Sequence, residues 1–368
     1  MATSPLHIYY SQEARMYVVA GALGTAAVYF FLKTLDKINL GYWLGFSLAI
    51  TALVFTDYLP VFLLPVFWLY GLIRIRNKKW WIVFILTHLP LVILGVFWLP
   101  IFQVQSQAGK IFLATLPAWK DLAGGATIKQ LVLVWTKFTL GRISFYNKTF
   151  YYLLLGICSV PFLAGFYQAI RKIKTGLFFW LWLTVPLVLG FAASFVIPAF
   201  NYFRFIFVLP AFYLVLALGI TSIKGSWGHW LGRILIVINL LAWGLYVFVP
   251  TQHRENWREA VAFIEKINIP NSVVVFANPE PFAPYRWYAS GNIPAYGILD
   301  NVKINKDQAA DRTAVVTDGR AGVIYFSYLQ DLMDPEELIV KTILKQGFHA
   351  HAEYSLFVGV GKITYFAR

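Results

Sequence analysis

Apolar segments of membrane-spanning length follow one another through the first two thirds of this chain, separated by short clusters of basic residues. A helix needs about 20 apolar residues to cross the hydrocarbon core of a bilayer. The sequence therefore predicts an α-helical polytopic membrane protein with about eight spans, two of which are short. The predicted spans are residues 16–34, 41–56, 58–73, 80–101, 149–170, 177–197, 205–222 and 231–249.

Charge divides the chain near residue 250. Residues 1–249 contain 19 lysines and arginines but only 4 aspartates and glutamates, whereas residues 250–368 contain 12 and 13. Charged residues make up 13% of the whole chain and hydrophobic residues 59%, against roughly 25% charged residues in a soluble domain. The sequence thus predicts a membrane domain over 1–250 and a water-soluble domain over 251–368.

The basic residues of the first part punctuate the apolar segments and do not form one patch. They are therefore signals of membrane topology, and nucleic-acid binding is not expected. If all eight segments span, the clusters fall on one side, which the positive-inside rule places in the cytoplasm. We expect a multi-pass protein of the plasma (inner) membrane whose N-terminus, loop 102–148 and C-terminal domain are extracytoplasmic. The clusters comprise Lys33, Lys37, Arg74, Arg76, Lys78, Lys79, Arg171, Lys172, Lys174, Lys224 and Arg233.

The soluble part has the pattern of a small α/β domain. Helices are predicted over 257–267 and 335–346, and strands over 272–277, 322–326, 349–357 and 360–366. No glycine-rich phosphate loop follows a strand, so nucleotide binding is unsupported. On a strand His349, His351 and Glu353 share one face, which makes them a weak candidate metal site.

The predicted outer loop contains an amphipathic helix over 128–138. One interpretation is an anchor that lies in the headgroup region of the membrane. The other is the wall of a site for an anionic lipid, in which Lys129, Lys137 and Arg142 face the phosphate.

Carboxylates are scarce on the predicted outer side, so those that remain are informative. Glu13 precedes the first span and is two residues from Arg15; on a helix it shares a face with Tyr9 and Tyr17. Such a pair at a membrane mouth can hold a metal ion, an acceptor hydroxyl or a phosphate, or it can be an ordinary juxtamembrane ion pair. Asp57, between the second and third spans, is either a turn cap or a second functional carboxylate.

Three segments resemble a known family. Residues 4–17, Ser-Pro-Leu-His-Ile-Tyr-Tyr-Ser-Gln-Glu-Ala-Arg-Met-Tyr, resemble a motif of bacterial polytopic glycosyltransferases of the GT-C fold, akin to protein O-mannosyltransferases and lipid A aminoarabinose transferases. Residues 201–210 resemble a later segment in which an Arg-aromatic pair opens a span ending in Leu-Pro. Residues 254–261 resemble the start of the soluble domain that follows the last span in many members.

The resemblance implies transfer of a sugar from a polyprenyl-phosphate donor to an extracytoplasmic acceptor, which is a glycan, lipid or protein of the cell envelope. Glu13 would orient the acceptor or a divalent cation, and Arg15 would support it. Arg204 would bind the lipid phosphate, while the basic outer loop gathers the anionic carrier. Membrane lipids and the lipid-linked sugar are thus the expected partners.

The sequence departs from the family pattern at two places. Members carry three spans ahead of the first motif, with a catalytic Asp in their first outer loop, whereas here the motif occupies residues 4–17. The expectation is therefore a fragment that lacks the catalytic base and is inactive as it stands. Asp57 stands where relatives often have a histidine or another uncharged polar residue.

A non-catalytic membrane scaffold and a carrier or flippase for lipid-linked sugars remain alternatives, although the spans lack the mid-membrane charge expected of a transporter.

The predicted topology is testable with reporter fusions. An alkaline phosphatase joined after Pro250 should be active, because that position is expected outside the cytoplasm, and one joined after Lys79 should be inactive. The measurement is phosphatase activity normalised to the amount of each fusion. A cytosolic reporter that is active after Pro250 contradicts the predicted orientation.

Overall fold

A computed structural model of the protein describes residues 1–267, 269–299 and 306–368. These residues form two compact units. The first consists of residues 1–102 and 123–252, and the second of residues 103–122 and 253–368. The stretch 103–122, predicted from sequence as part of an outer loop, thus groups with the C-terminal residues.

Each predicted span corresponds to an apolar helical region. Five such regions are long and apolar enough to cross a membrane, at 16–36, 78–115, 148–170, 202–221 and 226–248, and three shorter ones lie at 40–56, 59–74 and 177–193. Short 3-10 helices, Leu59–Leu63 and Tyr202–Val208, precede α4 and α11. The helices up to residue 248 are α1 (Pro5–Ser11), α2 (Met16–Asp36), α3 (Leu40–Thr56), α4 (Leu64–Arg74), α5 (Lys78–Leu86), α6 (Leu89–Thr115), α7 (Ala118–Ala123), α8 (Ile128–Leu140), α9 (Lys148–Ile170), α10 (Leu177–Ala193), α11 (Leu209–Thr221) and α12 (Ser226–Phe248).

The chain bends sharply between α1 and α2, so the expectation that Tyr9, Glu13 and Tyr17 share one face of a helix is wrong. Arg15 takes an extended backbone, with φ −131° and ψ 160°. The bend brings the Tyr10 and Tyr17 rings to 5.5 Å, whereas residues seven apart on a straight helix are separated by about 10.5 Å along its axis. The contact between the Tyr10 and Tyr17 rings therefore requires the bend.

The region 102–148 is largely helical and not a long loop, because α6 extends to Thr115 and α7 and α8 follow. The amphipathic helix predicted over 128–138 is confirmed as α8. Thr127 caps its start by accepting a hydrogen bond from the Gln130 amide at 3.2 Å. Its buried face includes Val134 and Phe138.

The turn predicted at Asp57 is confirmed. Asp57 is the C-cap of α3, and its Oδ1 accepts a hydrogen bond from the Leu59 amide at 3.5 Å. Pro60 then lies within the short 3-10 helix, which separates two apolar helices that would otherwise read as one.

Glycine allows α9 and α11 to pack backbone against backbone. A Cβ atom built on Gly219 would overlap the carbonyl oxygen of Gly165, and one on Gly165 would overlap the Leu216 side chain. Close approach through small residues is a common mode of helix association in membranes, where water does not drive helices together.

The second unit contains a five-stranded sheet of order β2-β1-β3-β5-β4. Strands β1, β2 and β3 are parallel, and β5 is antiparallel to both β3 and β4. The predicted strands and helices of this domain are confirmed, but α14, β2, α15 and α16 were not predicted. The elements are α13 (Trp257–Ile267), β1 (Ser272–Phe276), α14 (Ala283–Tyr288), β2 (Ala295–Gly297), α15 (Lys306–Thr317), β3 (Gly322–Phe326), α16 (Gln330–Met333), α17 (Leu338–Lys345), β4 (His349–Tyr354) and β5 (Ile363–Ala367).

Both faces of the sheet are covered. Residues of α13 and α14 pack on one face and residues of α15 and α17 on the other, which explains the continuous apolar runs of β1 and β3. Helix α17 begins three residues later than predicted, because Glu337 has a positive φ of 55°. Asp334 accepts hydrogen bonds from the amides of Leu338 and Ile339 and so caps the helix.

Substitution of Gly219 by alanine should destabilise the protein by about 1–3 kcal/mol, because the added methyl group must push α9 and α11 apart. Gly156, on α9, has no atom within 4 Å of a built Cβ, so Gly156→Ala is the matched control. The measurement is the thermal unfolding midpoint in detergent. Equal midpoints for the two variants contradict the close crossing.

Candidate functional site

The two ends of the helical bundle carry different residues. The Tyr246 hydroxyl, near the end of α12, donates to Gln12 Oε1, just before α2, at 2.7 Å. The charge of Arg204 acts on both Tyr17, at the start of α2, and Asp57, at the end of α3. We call the end at which these residues lie the Glu13 end. At the opposite end Arg74 donates a hydrogen bond from Nη2 to the Lys174 carbonyl at 3.0 Å, and we call it the basic end.

Glu13 and Arg15 form an ion pair in the bend between α1 and α2. The Arg15 Nε and Glu13 Oε1 atoms are 3.0 Å apart, and 61% of the Arg15 side chain but 16% of the Glu13 side chain is exposed. Tyr17 experiences the charges of both residues and of Arg204. The carboxylate is therefore sheltered, while the guanidinium group beside it faces outward.

Tyrosines connect the ion pair to the rest of the Glu13 end. The Tyr10 hydroxyl donates to the Tyr202 hydroxyl at 3.4 Å, and burial raises the pKa of Tyr10 above its ordinary value. The phenol therefore stays neutral and keeps its proton for hydrogen bonding. Arg142 donates from Nη1 to the Tyr9 hydroxyl at 2.9 Å, and its guanidinium carbon lies 4.8 Å from the centre of that ring.

Three cations, Lys137, Arg142 and Lys148, form a cluster between the end of α8 and the start of α9. Burial, followed by the charges of Arg142 and Lys148, lowers the pKa of Lys137 to about 8. The Lys148 ammonium group donates to the Ser144 hydroxyl at 3.0 Å. An anion bound here would relieve the mutual repulsion of the cluster, so its chemistry suits phosphate.

Asp57 and Arg204 act on each other electrostatically at the Glu13 end. Burial raises the pKa of Asp57, and the Leu59 amide and then the positive charge of Arg204 oppose this shift. The Nε of Arg204 is buried and has no hydrogen-bond partner among the described residues. Because an unsatisfied buried donor is costly, an anionic oxygen placed beside Arg204 would be stabilised.

Six predicted site residues thus lie at the Glu13 end, with charges and hydrogen bonds linking them through the tyrosines. They are Glu13, Arg15, Asp57, Lys137, Arg142 and Arg204. Lys129 is separate from them, because it lies in the exposed first turn of α8, eight residues before Lys137.

The histidine group of the C-terminal domain is not arranged as a metal site. A bulge between Ala350 and Ala352 interrupts the alternation of β4. The His351 ring packs 5.7 Å from the Tyr365 ring, and Glu353 pairs with Lys362 at 2.8 Å. Across the described ranges no three or more His, Cys, Asp or Glu side chains are grouped so that they could hold a metal ion, and this also applies to Glu13.

Sequence reasoning did not identify Lys148, Tyr10 or Tyr202 as members of the site. Lys148 is one of several basic residues in the region 102–148, which was predicted to be an outer loop. Its position at the start of α9, adjacent to the end of α8, was the available clue. The two tyrosines belong to the motif segments 4–17 and 201–210, but their contact depends on the bend before α2.

No family model and no curated protein sequence matches this chain. The structure is similar to the single-particle cryo-EM structure of the arabinofuranosyltransferase AftD from mycobacteria, with a TM-score of 0.49 and 12% sequence identity. The match covers 100% of this chain and 30% of that chain, so this chain spans less than a third of the length of AftD. Similarity at this level assigns neither a family nor a reaction.

Affinity for an anionic ligand at the cation cluster should fall as the pH rises from 7 to 9. Lys137 is charged below its pKa of about 8 and loses that charge above it, so a ligand that requires the charge should bind up to about tenfold more weakly at pH 9. The measurement is titration with a short-chain prenyl phosphodiester, whose own charge is constant over this range. Lys137→Arg should flatten the profile and Lys129→Arg should not; a profile unchanged by Lys137→Arg contradicts the assignment.

Proposed function

We propose that the chain acts in glycosyl transfer at a membrane surface, moving a sugar from a polyprenyl-phosphate carrier to an acceptor hydroxyl at the Glu13 end. The observation that carries the proposal is the convergence there of a sheltered carboxylate with a cluster of cations. This reaction needs both, because a proton must be removed from the acceptor and negative charge develops on the departing phosphate.

The carboxylate of Glu13 is the candidate proton acceptor, in place of the separate catalytic base that the family resemblance implies; the proposal thus differs from the expectation of an inactive chain. In the proposed step the acceptor oxygen attacks the anomeric carbon of the sugar as its proton passes to Glu13. The bond from that carbon to the phosphate oxygen breaks, and its electron pair remains on the lipid phosphate. Arg15, 3.0 Å from Glu13, orients the carboxylate, and Asp57 is the second carboxylate available at this end.

The phosphate is assigned to the cations. Lys137, Arg142 and Lys148 present positive charge beside the tyrosines, and Arg204 offers a buried N–H without a partner among the described residues. Arg142 is held by Tyr9, so its position is set before a ligand arrives, which reduces the cost of ordering it. Lys129, on the exposed turn of α8, would contribute to gathering the carrier by long-range attraction.

A divalent cation was one expectation for this site. The described residues do not provide a group of three ligands for one, and no step of the proposed reaction is assigned to a metal ion. In the proposal the charge of one phosphodiester is offset by the cations of this end, which are Lys137, Arg142, Lys148 and Arg204.

Glu13→Gln should lower the rate of sugar transfer by about 10²-fold or more, since general acid–base groups contribute 10²–10⁴-fold. Donor binding should remain, because the cation cluster is intact. The measurement is transfer of label from polyprenyl-phosphate pentose and hexose donors in proteoliposomes, with donor affinity determined separately. Asp36→Asn, which removes an exposed carboxylate at the basic end, is the matched control.

The same assay separates the alternatives. Arg142→Gln should weaken donor binding, with the transfer rate at saturating donor less affected. Donor movement across the bilayer without transfer would indicate a carrier or flippase, and neither binding nor transfer would indicate a scaffold. Unchanged transfer by Glu13→Gln would refute the role proposed for this carboxylate.

A further inference from the structure

Two loops at the basic end are in direct contact. The loop between α4 and α5 and the loop between α9 and α10 meet where Arg74 donates to the Lys174 carbonyl. We call residues 74–79 and 171–174 the joined basic loops. Their exposed cations are Arg74, Arg76, Lys78, Lys79, Arg171, Lys172 and Lys174.

Little negative charge is available to offset these seven cations. Neither loop contains an Asp or Glu, and residues 1–102 and 123–252 together contain only Glu13, Asp36 and Asp57. Of these, only Asp36 belongs to the basic end, and it is on a different loop. The first turn of α5 also lacks an acidic residue, so the partial positive charge of the helix start adds to that of Lys78 and Lys79.

The backbone holds the cations in place. The amides of Thr175 and Gly176 both donate to the Lys172 carbonyl at 3.0 Å, which closes the α9–α10 loop into tight turns. Asn77 caps α5 through the Lys79 amide at 2.9 Å. The charged groups therefore lie on ordered loops, where few backbone degrees of freedom remain to be lost on binding.

Aromatic side chains of the kind found at the depth of lipid headgroups flank the joined basic loops. Trp81 donates from Nε1 to the Ile75 carbonyl at 3.3 Å, and the Tyr167 hydroxyl accepts from Arg171 at 3.0 Å. Trp and Tyr are enriched at the level of the headgroups because one part of each ring is apolar and the other forms hydrogen bonds. We therefore expect the cations beside them to lie at the depth of the headgroup phosphates.

We propose that the joined basic loops bind the headgroup phosphates of anionic phospholipids. The site is separate from the Glu13 end and independent of the function proposed there. Its basis is the charge complementarity between ordered, exposed cations and a lipid phosphate at the same depth. Juxtamembrane basic clusters commonly recognise anionic lipids in this way.

The test compares two triple variants that remove the same charge from the same end of the bundle. The loop variant is Arg76→Gln, Lys78→Gln and Lys172→Gln. The control variant is Lys37→Gln, Lys224→Gln and Arg233→Gln, all exposed and outside the joined basic loops. Phosphatidylglycerol and phosphatidylcholine are titrated separately into the full chain in detergent at low salt, and bound lipid is counted by native mass spectrometry.

The unmodified protein should bind phosphatidylglycerol roughly tenfold more tightly than phosphatidylcholine, and added salt should reduce the difference. The loop variant should lose at least about fivefold of its affinity for phosphatidylglycerol, and the control variant should lose less than about twofold. Thermal midpoints in phosphatidylcholine nanodiscs check that both variants fold. Lys78→Gln alone, with an expected loss of roughly fivefold, replaces the triple variant if that variant does not fold.

Equal affinity for the two lipids overturns the proposal, as does an equal loss in the loop and control variants. Millimolar inorganic phosphate provides a further arm. If it does not displace phosphatidylglycerol, the lipid assignment is supported. If it does, the joined basic loops form a site for a soluble anion and the lipid assignment is wrong.

Discussion

The bend between α1 and α2 is the feature on which the Glu13 end depends. Without it, Tyr10 and Tyr17 would be separated along a helix, and Glu13 would lie on a helical face instead of beside Arg15 in a break. Gly141, which follows the end of α8, allows α1 to approach closely; its φ is 69°. A Cβ there would approach the Pro5 Cβ to 2.7 Å, so α1 packs directly against the end of α8. Local backbone geometry at two places thus brings motif residues and cations together.

The membrane helices were predictable because their signal is strong and local. Each needs about 20 apolar residues, and the basic loops mark where one ends and the next begins. The helical character of 102–148 was not predictable in the same way. Lys110 and Lys120 interrupt the apolar pattern there, and α6 continues past the length of one span because Phe112, near its C-terminal end, packs in the core of the second unit, which includes Leu116.

Most charged residues of the candidate site were predicted, but Lys148, the tyrosines and the arrangement of the site were not. Scarcity of carboxylates identified Glu13 and Asp57, and position in an outer segment identified Lys137 and Arg142. Sequence spacing does not show that Tyr202 meets Tyr10, 192 residues away, because that contact depends on the bend before α2 and on the packing of α2 against the 3-10 helix Tyr202–Val208. The metal expectation at His349 and His351 assumed regular strand alternation, and a single extra residue in β4 removed it.

The bond between Arg142 and Tyr9 has a consequence for the order of the N-terminal segment. It is one of the attachments that fix α1, and it leaves the other N–H groups of Arg142 for an incoming phosphate. An ordered α1 therefore holds Arg142 in place for the ligand, and by linkage a ligand that binds more tightly to the held Arg142 must strengthen the attachment of α1 by the same factor. Binding of an anion at the cation cluster and ordering of α1 are therefore two coupled equilibria, although the residues involved are far apart in the chain.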